Sequence, residues 1–216
     1  MKKTIVITGA SKGVGMAITQ RLVEEGHEVI GIGRQSTPFN SDVRYLSADL
    51  TVDSERDDVV KTIQHHVQKI DVLINNMGMY IGKNCFDLSR EESRQLMQTN
   101  FIAPADFTQQ LLPLLQKGQA PLLIYLSSKA VKKQDQPNMG IYSASKAAVT
   151  AFANSIRTEL NPKGIRVTVL HPNAVNTWGA SDQSGLLTSE DMVNTVAFAL
   201  AMPVHCQLED ITLSAL

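Results

Sequence analysis

The segment Tyr142-Ser143-Ala144-Ser145-Lys146 sets a phenol and an ammonium four positions apart, with only small residues between them. On a helix, positions i and i+4 lie one above the other, so both groups can act on one small object. A phenol ordinarily titrates near pH 10, too high for easy proton exchange at neutrality. A neighbouring cation favours the phenolate and lowers that value. The pair therefore suits an acid/base tyrosine tuned by a lysine; the bland alternative is two residues decorating an exposed helix face.

A second chemical signal lies in Thr4 to Gly15, TIVITGASKGVG, where Gly9, Gly13 and Gly15 join an apolar run to an amphipathic one. Glycines at a strand-to-helix turn let the backbone approach a pyrophosphate, which sits on the unpaired amides and positive end of the helix. The next apolar run ends in Gly33 and Arg34, with no carboxylate at that end. In dinucleotide folds an acidic residue in this region takes the adenosine ribose, whereas an arginine holds a 2′-phosphate. Arg34, with Lys12 inside the glycine turn, points to NADP(H) rather than NAD(H).

The elements that must position these groups can be read from the pattern. Short aliphatic runs at Thr4 to Thr8, Glu28 to Ile32, Val43 to Leu46, Asp71 to Ile74, Leu122 to Leu126, Arg166 to Leu170 and, weakly, Asp210 to Leu213 are mostly apolar on both faces. That is the signature of buried parallel strands. Between them, Val14 to Glu25, Asp53 to Lys69, Ser89 to Gln116, Ser145 to Leu160 and Ser189 to Ala201 read as helices. Ser89 with Glu92, and Thr188 with Asp191, have capping-box spacing. Strand alternating with helix predicts an α/β chain with a parallel sheet covered on both sides. The segment from Asn173 to Thr188, with Gly179, Ser181, Asp182, Ser184 and Gly185, reads as a mobile loop beside the site.

Composition sets the bounds. The 216 residues are 43% hydrophobic, without repeat or linker, which predicts one domain over residues 1–216. A net charge of −1 argues against nucleic acid or an anionic membrane as the partner. The short basic cluster Lys129, Lys132 and Lys133 reads as a solvated loop edge. No apolar run approaches membrane-spanning length, and the opening residues read as a first strand rather than a secretory signal. Cys85 and Cys206 lie far apart in no redox or metal spacing, which fits a reducing cytoplasm. The five histidines form no ligand pattern, so no metal is expected.

In order along the chain, TGASKGVG, Ala48-Asp49-Leu50, Asn75-Asn76-Met77-Gly78, Asn100, Tyr125-Leu126-Ser127-Ser128, YSASK and His171-Pro172-Asn173-Ala174-Val175-Asn176-Thr177 resemble the motifs of the classical short-chain dehydrogenase/reductase family. The resemblance runs over essentially the whole chain. It implies a Rossmann-type, doubly wound parallel sheet of about seven strands with helices on both faces, and an oxidoreductase acting on carbonyl and alcohol groups. By position it implies that Ser128 holds the substrate carbonyl, Tyr142 is the acid/base, Lys146 tunes it and grips the nicotinamide ribose, and Asn100 completes a proton relay through water. It further implies cofactor contacts at Gly9, Ser11, Lys12, Gly13, Val14, Gly15 and Arg34; at Asp49 and Leu50 beside the adenine; at Asn76 and Gly78 beneath the ribose; and at Pro172, Val175 and Thr177 beside the nicotinamide.

Met77 stands where the family carries alanine and Asn173 where it carries glycine, and Ser128 is one position further from Tyr142 than is commonest, leaving Ser127 as its rival. That extra residue lengthens the loop carrying Lys132, Asp135 and Pro137. The lid near 177–189 is short for the family, which predicts an open pocket. Met77 and Met79 suit an adaptable pocket wall or core packing equally well, and Trp178 either touches substrate or packs the loop. Apolar helices around 101–116 and 145–160 and the family analogy predict a homodimer. A small-molecule carbonyl or alcohol is the expected substrate, with none selected. The rival from another class is an NADP(H)-sensing regulator without turnover, disfavoured because Ser128, Tyr142 and Lys146 are all present.

Overall fold

A computed structural model describes residues 1–36, 39, 43–132, 137–177 and 185–216. Seven strands form one sheet: β1 (Thr4–Thr8), β2 (Glu28–Gly33), β3 (Arg44–Ser47), β4 (Val72–Asn75), β5 (Leu122–Leu126), β6 (Arg166–Pro172) and β7 (Asp210–Leu213). Their order is β3-β2-β1-β4-β5-β6-β7, and every neighbouring pair is parallel. The five inner strands are almost wholly buried, while edge strands β3 and β7 alternate between exposed and half-buried positions. Runs apolar on both faces can only be satisfied between two helical layers.

Those layers are α2 (Asp53–His66), α4 (Ala103–Leu115) and α5 (Gly140–Leu160) on one face, and α1 (Gly13–Glu24) with α6 (Ser189–Ala201) on the other. Val59, Ile63, Phe107, Leu111, Val149 and Ala153 pack with Val6, Leu73 and Val169 on the first side. Ile18, Leu22, Met192 and Val196 pack with Ile5, Ile7 and Ile124 on the second. Strand order reverses between β1 and β4, so their C-terminal ends open a crevice there. This is the doubly wound Rossmann-type sheet expected from the strand-helix alternation.

The helix expected over Ser89 to Gln116 is not continuous. It comprises α3 (Arg90–Met97), a π turn at Gln98–Ile102, and then α4. A helical carbonyl at residue 100 would pair with the N–H of residue 104, and Pro104 has none. The chain widens instead into i→i+5 bonding, with Ala103 N donating to Gln98 O. The last helix of the first layer, α5, begins at Gly140 rather than Ser145, which brings Tyr142 and Lys146 onto one helix. Other differences are at ends: α2 stops at His66, three residues short of Lys69, β3 and β4 each start one residue late, and β6 runs on to Pro172.

Candidate functional site

Helix ends distinguish the site from its scaffold. Ser89 and Thr188 each close a reciprocal capping box, so the first amides of α3 and α6 are satisfied by their own chain. Lys12, at the N-cap of α1, provides no such side-chain bond, and no acidic residue stands in that first turn. The free amides and positive end of α1 are thus open to an anion. The glycines make the approach possible: a Cβ on Gly15 would fall 2.1 Å from the Gly9 carbonyl oxygen. Beneath the turn, Asn76 donates from Nδ2 to the carbonyls of Thr8 (2.9 Å) and Gly9 (3.1 Å), tying the end of β4 to it.

A cleft of about 430 Å³ opens here. Its walls include Gly9, Ser11, Lys12, Gly13, Val14 and Gly15 from the first turn, Arg34 from the end of β2, Asp49 and Leu50 after β3, Asn76 and Gly78 after β4, and Thr177. All of these were expected from sequence. Met79, weighed from sequence as a pocket wall, lines it too, while Ile32, Ala48, Thr51 and Thr99 were missed; Thr51 follows Asp49-Leu50 directly and holds Asp49 Oδ1 through its N–H (3.0 Å) and hydroxyl (2.7 Å). Pro172 and Val175 stand outside the lining, although Val175 bridges to Leu187 and so fixes the chain on which Thr177 closes over Gly13. Met77 does both things proposed for it, lining the cleft and packing on the core.

Arg34 is 74% exposed, and its guanidinium lies 3.8 Å from the Asp49 carboxylate. No carboxylate stands at the end of β2 in sequence, yet the fold delivers one from the end of β3. An exposed pair at that distance holds the arginine only weakly.

At the other end of the crevice, β5 leads into Ser127 and Ser128, which face different ways. The Ser127 hydroxyl is buried against α5, on the Lys146 carbonyl (3.1 Å) and the Thr150 hydroxyl (2.8 Å). The Ser128 hydroxyl lies beside the Tyr142 phenol, close enough to act on its acidity, and accepts from Ala130 N at 3.1 Å. Geometry therefore separates the two rivals, bringing Ser128 to the tyrosine and leaving Ser127 to fasten the helix.

The expected tuning of Tyr142 is corrected. Burial pushes its phenol above the ordinary value, the Ser128 hydroxyl works against that, and nearby Tyr80 adds to the rise. Lys146 is not among the groups that move it; its Nζ donates to the Leu126 carbonyl at 2.8 Å, and burial drops its own pKa to about 8. Tyr80, missed as a site residue, packs edge-on to Tyr142 with ring centroids 5.2 Å apart. The only signal for it was its place in the segment after Gly78.

Asn100, on the π turn, is buried and fully engaged. Its Oδ1 accepts from Met79 N (2.7 Å), and Nδ2 donates to Met79 O (3.0 Å) and Ser145 Oγ (2.9 Å). Ser145 in turn donates to the Tyr142 carbonyl at 2.7 Å, so the middle of the YSASK segment is the link between Asn100 and the tyrosine's turn. A Cβ on Gly78 would stand 3.2 Å from Lys146 Nζ and 3.3 Å from Asn100 Oδ1, so these three residues meet.

Lys129 and Lys132, read as a solvated edge, donate instead to Ser214 and Thr212 on and just beyond β7. Lys133, Asp135, Trp178, Gly179, Ser181, Asp182 and Ser184, and with them most of the expected lid, lie outside the described residues. Among the described residues, no helix is long and apolar enough to cross a membrane.

Comparison with known proteins agrees with this geometry. The sequence model of the family described as short chain dehydrogenase matches residues 3–184. An uncharacterized oxidoreductase of Staphylococcus epidermidis is 29% identical over 98% of this chain and 96% of its own. Serine 3-dehydrogenase of Agrobacterium fabrum is 29% identical over 99% of this chain and 94% of its own. Among solved structures, an alcohol dehydrogenase from Thermococcus sibiricus complexed with 5-hydroxy-NADP superposes with a TM-score of 0.88 at 23% identity, covering 100% of this chain and 97% of that one.

Proposed function

Since the chain belongs to the short-chain dehydrogenase family and is an oxidoreductase of it, we propose that it catalyses reversible hydride transfer between NADP(H) and a carbonyl or secondary alcohol. The observation that carries this reading is the placing of Ser128 beside Tyr142, with Lys146 one turn further along α5, next to a cleft that begins at the open end of α1.

The residues fit a dinucleotide. The α1 amides and glycine turn would hold the pyrophosphate, Asp49 and Leu50 the adenine, and Arg34 with Lys12 a 2′-phosphate, whose charge outweighs the weak hold of Asp49 on Arg34. When bound, NADPH supplies the hydride. Tyr142, kept protonated by burial, donates to the carbonyl oxygen as negative charge grows there, and Ser128 adds a second hydrogen bond to the same oxygen. Lys146 and the Asn100 turn carry the replacement proton through water. A sensor without turnover would have no use for this trio, which favours the enzyme.

The same reading takes residues 1–216 as one folded unit in the cytoplasm, for which the free thiols of Cys85 and Cys206 speak. It also takes the protein as a homodimer through the outer faces of α4 and α5.

The test is NADPH oxidation by the purified protein across a chemically diverse carbonyl panel, with Tyr142→Phe in parallel. Turnover that falls about 10³-fold in the variant supports the assignment, within the usual range for a positioned acid. Equal turnover by both proteins would overturn it.

A further inference from the structure

Ser128 sits at the N-cap of a three-residue 3₁₀ turn, Lys129–Val131. So short a turn has little stiffness of its own, and its bond from Val131 N to the Ser128 carbonyl is long, 3.3 Å. Ser127, one residue earlier, is anchored to Leu170 O through its amide at 2.8 Å. What fixes the serine on its far side comes from β7, the edge strand furthest from the cofactor cleft.

Residues 210, 212 and 214 follow the period of 2 that puts side chains on one face of a strand, and each reaches the Ser128 turn. Asp210 Oδ1 bonds His171 Nε2 at 2.5 Å, and the other ring nitrogen of His171 lies 3.4 Å from the Ser128 carbonyl, long but in line with the serine's own peptide. Thr212 Oγ1 accepts from Lys132 at 2.7 Å and Ser214 Oγ from Lys129 at 2.5 Å. His171 stands opposite Thr212 in the β6–β7 register, and its side chain is 0% exposed. Both neighbours of the ring offer oxygen acceptors, so a ring N–H on either side has a partner.

We propose that His171, oriented by Asp210, is a positioning residue that fixes the Ser128 peptide so that the serine hydroxyl stays beside the Tyr142 phenol. Lys129 and Lys132 are the outer braces of the same turn. Displacing a positioned group by about 1 Å can cost on the order of 10²-fold in rate, so a histidine that touches neither substrate nor cofactor would set turnover through the serine. The kinetic part of this inference rests on the oxidoreductase reading; the structural part does not.

The test uses protein carrying tyrosine labelled with ¹³C at the ring Cζ, whose four resonances include one assigned to Tyr142 by its loss in Tyr142→Phe. Ser128→Ala defines the shift caused by removing the serine hydroxyl. His171→Gln, which reaches Asp210 but not Ser128, is expected to move the Tyr142 resonance in the same direction. Asp210→Ala is expected to move it too, and Asp210→Asn, which keeps an acceptor, by less. Because Asp210 is partly exposed, Asp210→Ala decides the matter should His171→Gln fail to fold.

A Tyr142 resonance at the wild-type position in Asp210→Ala, or in folded His171→Gln, overturns the proposal. With an active substrate, kcat is expected to fall roughly ten- to hundredfold in His171→Gln while KM for NADPH stays within about twofold. A wild type without any turnover would sink the oxidoreductase reading and leave the resonance shifts to decide this one.

Discussion

Lys146 Nζ donates to the main-chain oxygen of Leu126 at 2.8 Å, at the last residue of β5 and two positions before Ser128. The lysine thus sits under the strand end that carries the serine, rather than spending its charge on the phenol one turn away. Buried and facing no carboxylate among its hydrogen-bond partners, it is a site group whose protonation the fold resists.

That resistance is measurable as stability. Burial lowers Lys146 to about 8 in the folded chain against the ordinary lysine value of 10.5, so between those values the unfolded chain binds more protons. Stability therefore rises with pH across that window, and below about 8 the full cost is present. From Lys146 the wild type without cofactor should gain about 2.5 kcal/mol from pH 7 to 10, and Lys146→Met should remove this part of the slope. Tyr142, Tyr125 and Tyr45, whose values burial raises, oppose this gain as pH approaches 10 in both proteins alike, so the difference between wild type and variant isolates the lysine. Denaturant titrations at pH 7, 8, 9 and 10 on both proteins check it; parallel curves would show that the lysine is not the cause.

Arg34 should decide between the two nicotinamide cofactors. Arg34→Ala removes a charge-assisted contact to a 2′-phosphate and nothing needed for NADH, so KM for NADPH should rise about tenfold or more with that for NADH little changed. Steady-state kinetics with both cofactors provide the comparison. An unchanged ratio would mean that the cleft discriminates elsewhere, or not at all.

Gly15→Ala tests the phosphate turn. The added methyl group would meet the Gly9 carbonyl at 2.1 Å and Asn76 Nδ2 at 2.4 Å, and the first of these is backbone that cannot swing aside. A cost of roughly 1–3 kcal/mol is expected from overpacking, seen as a lowered Tm, together with NADPH binding weakened more than tenfold in fluorescence titration. Full binding with only a stability loss would separate the turn from the cofactor.

The outer faces of α4 and α5 offer the dimer prediction. Ile102, at the π turn leading into α4, is 46% exposed, and α5 presents Ala144, Ala147 and Ala151 outward, small residues that allow close helix approach. Sedimentation should give a dimer at micromolar concentration and a monomer for Ala151→Glu. A monomeric wild type would contradict it.

Much of this protein was legible in its sequence. Strand order in the chain, the βαβ alternation, both capping boxes, the glycine turn and the Tyr142/Lys146 pair all depend on local patterns: period 2 against 3.6, side chains that cap their own amides, glycine where no Cβ fits. Tertiary structure decided the rest, because each remaining point turned on distant residues meeting. Pro104 opened the long helix into the π turn that carries Asn100. The end of β3 brought Asp49 to Arg34, and β7 brought Asp210 to His171 across 39 residues. Burial reversed the expected shift of Tyr142, since desolvation depends on what surrounds a group, and a spacing of four residues says nothing of the third dimension around it.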